Sequence, residues 1–203
     1  MPEDAGWADL TYSEQLQICE MPEELLEDYT TADLGALVLE YPFLGDVLAF
    51  DSAERAIRHL GNSSNICREF FSRDDSTAVL LQEYSNLTVN YDALCNYSAN
   101  SAEAVSGWRI GYVKELFLQT YFASIADTLS SAEKQLLKGA IARNYELKKG
   151  KIDDYSTALL IFDWLQAEDG EVAAELLPDS IYADNPSRFA NLGKESVRIC
   201  HNR

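Results

Sequence analysis

Apolar positions in the first half of the chain recur at three-and-four spacing and are cut into short runs by caps and prolines, which predicts a series of short helices. In "TYSEQLQIC", Thr11 precedes Glu14 in the capping-box arrangement. "PEELLEDY" sets Pro22 in a first turn with acids behind it, where the positive helix end favours them. After Thr30 and Thr31, the run "ADLGALVLEY" places Leu34, Leu37 and Val38 on one face until Pro42 ends or kinks it. "SAERAIRHLG" is expected to start at Ser52 and to stop at Gly61 in the left-handed conformation. "SNICREFFSR" and "DDSTAVLLQEY" read as two further short helices.

The second half predicts longer elements. From Trp108 to about Ala123 the chain is apolar over most of a helix circumference, the mark of a central helix with neighbours on several sides. "SAEKQLLKGAIARNYELKKG", capped by Ser130 or Ser131, aligns Leu136, Leu137, Ala140, Ile141 and Tyr145 along one stripe. "DDYSTALLIFDWLQ", residues 153 to 166, is again nearly all-round apolar, and "EVAAELL" adds one short helix before Pro178. The tail from 179 to 203 shows no clear period beyond a short extended segment at 180 to 184. The polar stretch 96 to 107 is the candidate mobile loop or subdomain seam. The reading is all-α: one domain over 1 to 203, an irregular multi-helix bundle of roughly eight to ten helices.

Composition narrows the partners. With 47% hydrophobic residues a chain of 203 can bury a core, and a formal charge of -18 gives it a strongly negative surface. Nucleic acid and anionic membranes are repelled, and the densest basic run, "LKKGK" at 147 to 151, reads as cations at a helix C-terminus. No run approaches the roughly eighteen apolar residues of a membrane-spanning helix, so no membrane insertion is expected. Residues 1 to 20 lack the basic head and apolar middle of a signal peptide. Cys19, Cys67, Cys95 and Cys200 are widely spaced with no Cys-x-x-Cys pair, which argues against zinc and leaves buried thiols or one or two disulfides open. No cofactor or metal is expected.

Catalytic patterns are sparse. His59 sits on an ordinary helix and His201 near the C-terminus, neither beside a Ser or Cys motif, and phosphate and dinucleotide loops are absent. The acid pairs Glu23-Glu24, Asp74-Asp75, Asp153-Asp154 and Glu168-Asp169 fall at predicted helix starts or turns, where acids stabilise the dipole. Two acids stand inside apolar runs, Asp46 in "FLGDVLAF" and Asp163 in "LLIFDWLQ". Buried, each would need a partner and would be a functional suspect; exposed, each is the polar edge of its helix.

The stretch "LVLEYPFLGDVLAFDS" admits a core and a surface reading. If Pro42 opens a second helix, Phe43, Val47 and Phe50 share a side and Asp46 borders them. Burial is the expectation, with Phe50→Ala costing about 3–5 kcal/mol. On the other reading, Tyr41, Phe43, Asp46 and Phe50 become a partner-binding face, with Asp163 a further candidate.

Cys19, Met21, Pro22-Glu23, Thr30-Thr31, Tyr41-Pro42, Asp46 and Phe50-Asp51, with "LLQEYSNLTV" downstream, carry a family resemblance. Over residues 7 to 89 the chain resembles an uncharacterised family of exported, mostly helical proteins of Gram-positive bacteria, many of them gut residents. The resemblance implies a helical fold, a leader on the full-length product, a secreted or cell-surface location and a greater chance of disulfides. It implies no reaction. The leading expectation is a non-catalytic, exported, acidic helical module that binds a protein or cell-surface partner. The alternative is a carboxylate-dependent hydrolase acting on carbohydrate or peptidoglycan.

Overall fold

A computed structural model describes residues 6–50, 52–88 and 102–148. All regular structure in them is helical: α1 (Tyr12–Ile18), α2 (Glu23–Asp28), α3 (Thr31–Leu39), α4 (Ala53–Ser63), α5 (Asn65–Ser72), α6 (Ser76–Asn86), α7 (Ala102–Ser124) and α8 (Ser131–Lys148). Short 3₁₀ turns occupy Trp7–Asp9, Leu44–Ala49 and Ala126–Thr128. The all-α bundle expected from the sequence is the fold seen.

Local chemistry sets most helix starts. Thr11 and Glu14 close a reciprocal box on α1, the Thr11 hydroxyl accepting from Glu14 N at 3.4 Å and the Glu14 carboxylate accepting from Thr11 N at 2.8 Å. Thr30 with Asp33 repeats it on α3, and Ser130 with Glu133 on α8. These hydrogen bonds hold the Glu14 and Glu133 carboxyls below the ordinary range, because they favour the charged form. Ser52 caps α4 through Arg55 N.

Gly61 does not stop α4. The helix runs on to Ser63, and Ser64 makes the corner instead: its N–H still bonds Leu60 O at 3.1 Å while its hydroxyl caps α5 by accepting from Cys67 N at 3.3 Å. One residue therefore ends one helix and begins the next, and a glycine was not needed.

The buried apolar side chains form one cluster extending from Leu26 to Ile141. Its centre is α7, where every side chain from Glu115 to Phe122 is buried, the polar Glu115, Gln119 and Thr120 among them. α4 packs on α5, α7 and the 3₁₀ turn, α3 packs on α5 and α6, and α6 packs on α8. Helix α3 comes close to its neighbours at Gly35, where a Cβ would lie 2.8 Å from Val79 Cγ1 and 3.2 Å from Phe70 Cε2. On α8 the buried residues among the described side chains are Leu137, Ala140, Ile141 and Asn144, an i, i+3, i+4, i+7 stripe, and Tyr145, expected on it, lies outside them. Leu136, expected on that stripe, is 60% exposed because it stands one residue, about a quarter turn, off it.

Helix α7 starts at Ala102, so the part of the expected 96-to-107 loop from 102 onward is helix. Residues 96–101, Asp163, the helices expected at 153–166 and before Pro178, the segment 180–184, the tail 179–203, Cys95 and Cys200 lie outside the described residues. No helix among the described residues is long and apolar enough to cross a membrane.

Candidate functional site

Pro42 ends α3 without opening an α-helix. A turn at 42–43 leads into the 3₁₀ turn, closed by Leu44 N to Tyr41 O at 3.0 Å and Asp46 N to Phe43 O at 2.9 Å. Three residues per turn, in place of 3.6, change which side chains align. Leu44 and Val47 now share the buried edge, 3% and 0% exposed, while Phe43 and Asp46 share the neighbouring one. The expected Phe43–Val47–Phe50 face is therefore not formed as such. Phe50 is half-buried, packing against the core from its edge, and Tyr41 is fully in the core.

Around Phe43 the chain gathers an aromatic cluster. Its ring centroid lies 5.1 Å from Tyr12, 5.7 Å from Tyr41 and 6.0 Å from Trp7, in tilted and edge-on contacts that suit the ring quadrupoles. Phe50 lies against His59, with centroids 4.8 Å apart. Tyr41 Oη donates to Ser63 O at 3.4 Å, tying the corner to the end of α4.

Asp46 stands at the edge of this cluster, neither buried nor fully exposed. Its Oδ2 accepts from Tyr12 Oη at 2.8 Å and lies 3.8 Å from His59 Nε2. Partial burial first, then the Asp46 hydrogen bond and its negative charge, push the Tyr12 hydroxyl up to about 12. Ser63 Oγ lies 3.4 Å from the same His59 Nε2. Ser, His and Asp thus come together, a grouping that sequence spacing concealed. It is not a proton relay: a catalytic imidazole holds its carboxylate on one ring nitrogen and its hydroxyl on the other, whereas here both face Nε2. The geometry orients His59 at a surface corner, and nothing in it positions a nucleophile.

A second polar centre lies inside, between α6, α7 and α8. Glu115, Gln119, Tyr84 and Asn144 are all buried, and Gln119 Nε2 donates to Glu115 Oε1 at 3.3 Å and to Tyr84 Oη at 3.4 Å. Arg143 Nη2 reaches Tyr84 O at 3.1 Å. Burial raises the Tyr84 hydroxyl well above its usual range, aided by the Glu115 charge. Asn144 also faces the Tyr84 hydroxyl, and Gln119 Oε1 is a buried acceptor without a hydrogen-bond partner among the described residues. Glu115 belongs to the same class as Asp46, an acid within an apolar run, and that signal in "VKELFLQTYF" went unused.

Of the residues singled out in the sequence, the structure brings together Tyr41, Phe43, Asp46 and Phe50. It adds Trp7, Tyr12, His59 and Ser63, which no local pattern marked. Among the described residues no group of three or more His, Cys, Asp or Glu side chains could hold a metal ion. No protein-family model, curated protein or solved structure matches the chain.

Proposed function

We propose that this protein is a non-catalytic, exported, acidic helical module that docks a protein or cell-surface partner through α1 and α2. One observation carries the reading. Of the five large apolar side chains exposed among the described residues, four belong to this N-terminal arm: Ile18, Leu25, Tyr29 and Tyr12, the last also held by Phe43 and Asp46. Apolar side chains left in water on a fixed backbone are what a recognition surface requires. The backbone here is fixed, because Asn65 of α5 holds the chain at Met21 between the two helices.

The charge pattern defines the partner's chemistry. Residues 1 to 54 contain fourteen acids and no Lys, Arg or His. A fitting partner presents an apolar groove rimmed by Lys and Arg, with the acids speeding encounter and fixing orientation. Export rests on the resemblance across residues 7 to 89 and on nothing in the geometry.

The test uses labelled protein on intact Gram-positive cells. Saturable binding is expected, weakened by added salt and lost when Ile18→Glu and Leu25→Glu are combined, with the thermal midpoint unchanged because both positions are exposed. Binding that never saturates, or that survives both substitutions, overturns the proposal. Release of soluble fragments from purified peptidoglycan, abolished by Asp46→Asn, would establish the hydrolase alternative instead.

A further inference from the structure

On the outer side of the α4–α5 corner, opposite in chemistry to the acidic arm, lies an open concavity of about 500 Å³. Ile57 and Phe71 give it an apolar lining, and Ser124 at the end of α7 borders it. Gly61 helps keep it open: the position carries no side chain, and a Cβ there would lie 3.6 Å from Phe71 Cδ2. Two cations line the same space, Arg58 from α4 and Arg68 from α5. Arg68, itself exposed, donates from Nε to Gly61 O at 3.2 Å, and its two Nη groups have no protein partner among the described residues.

Elsewhere Arg73 meets Glu69, Lys114 meets Glu40, and Arg143 bonds the Tyr84 carbonyl and Asn144. Arg58 and Arg68 pair with no carboxylate among the described residues, although Glu54 lines the same concavity. Two exposed guanidiniums, unpaired among the described residues, supply positive charge for an anion beside an apolar platform for an uncharged body.

We propose that the α4–α5 concavity binds a small amphipathic carboxylate, with an aromatic or short aliphatic body on Ile57 and Phe71 and its carboxylate on Arg58 and Arg68. The volume falls within the roughly 300–1,000 Å³ usual for small-molecule sites. The charge of the ligand is limited from both sides. One negative charge is drawn by the arginines, while Glu54 and the overall charge of -18 oppose a second. Polyanions and nucleic acid are therefore excluded, and the site stands independently of the docking arm.

Calorimetric titration of the full chain with phenylpropionate tests this. One-site binding is expected, with Arg58→Gln and Arg68→Gln each weakening it about tenfold or more, as loss of a charge-assisted bond should. Phenylpropanol, which keeps the body and loses the charge, should bind about tenfold more weakly for the same reason. Thermal midpoints of both variants report that they fold. Absence of binding in the millimolar range, equal affinity for the alcohol, or indifference to both substitutions overturns the assignment. So does tighter binding of a glutamate-rich peptide than of phenylpropionate, which would make the surface a peptide-docking site.

Discussion

The Asn65 side chain pairs with the backbone of Met21 in both directions, its Oδ1 accepting from Met21 N at 3.1 Å and its Nδ2 donating to Met21 O at 2.6 Å. One amide thus satisfies both backbone groups of a residue 44 positions away. The backbone N–H of Asn65 is in turn met by the Glu20 carboxylate. Asn65→Ala should lower stability by about 1–3 kcal/mol, at about 1 kcal/mol per hydrogen bond plus the cost of stranded groups. Hydrogen exchange should show the loss concentrated in α1 and α2. Uniform deprotection across all helices would mean that Asn65 serves the core and not the arm.

The 3₁₀ register at Leu44–Ala49 ranks two substitutions that an α-helix would have ranked in reverse. Leu44→Ala removes a side chain only 3% exposed and should cost about 2–4 kcal/mol. Phe50→Ala trims a half-buried ring at the edge of the core and should cost about 1–2 kcal/mol, below the value expected for full burial. Urea midpoints for the two variants decide it. A Phe50 variant as damaged as the Leu44 variant would contradict this register.

Two helical glycines should respond oppositely to alanine. At Gly35 the new methyl would stand 2.8 Å from Val79 Cγ1, and overpacking should cost about 1–3 kcal/mol. At Gly139 nothing lies within 4 Å, and the helix should gain about 0.5–1 kcal/mol from the lost backbone freedom of glycine. Thermal melts of Gly35→Ala and Gly139→Ala should move in opposite directions.

Alkaline pH should unfold the protein through its phenols and a thiol. Tyr12 is pushed from 10.0 up to about 12, Tyr41 and Tyr84 are raised further by burial, and Cys67 is pushed from 9.0 up to about 12. Each is neutral when protonated, and the fold prefers that form. Their stabilising effect is therefore complete below the ordinary pKa values and is lost as pH climbs from there through about 12. Tyrosinate absorbance should lag behind that of the unfolded chain, and mass mapping after alkylation at neutral pH should find Cys67 unlabelled until denaturant is added. Rapid labelling of native Cys67 would show that its site opens easily.

Much of the helix map needed no tertiary information. Thr11 with Glu14, Ser52 before α4, and the acids behind Pro22 act within one turn of their own backbone, so their effect is written in adjacent letters. The central character of α7 was equally legible, because apolar residues around a whole circumference cannot all face water. Gly61 shows where such reasoning stops: a permitted helix end was not used, since Ser64 could end α4 and cap α5 together. Pro42 likewise fixed that α3 would end, but the 3₁₀ turn that follows depended on what Leu44 and Val47 had to reach in the core.

The surfaces proposed for binding were decided entirely at long range. Tyr12 meets Asp46 across 34 positions, Asn65 meets Met21 across 44, and Arg58 and Arg68 come to share one concavity only because Ser64 sets α4 against α5. Exposure followed the same rule: Ile18 and Leu25 are as apolar as their buried neighbour Leu26, yet only packing against the rest of the chain determined which of them would remain in water. Caps and breaks are properties of a few consecutive residues, whereas a binding face is defined by what the remaining chain leaves uncovered.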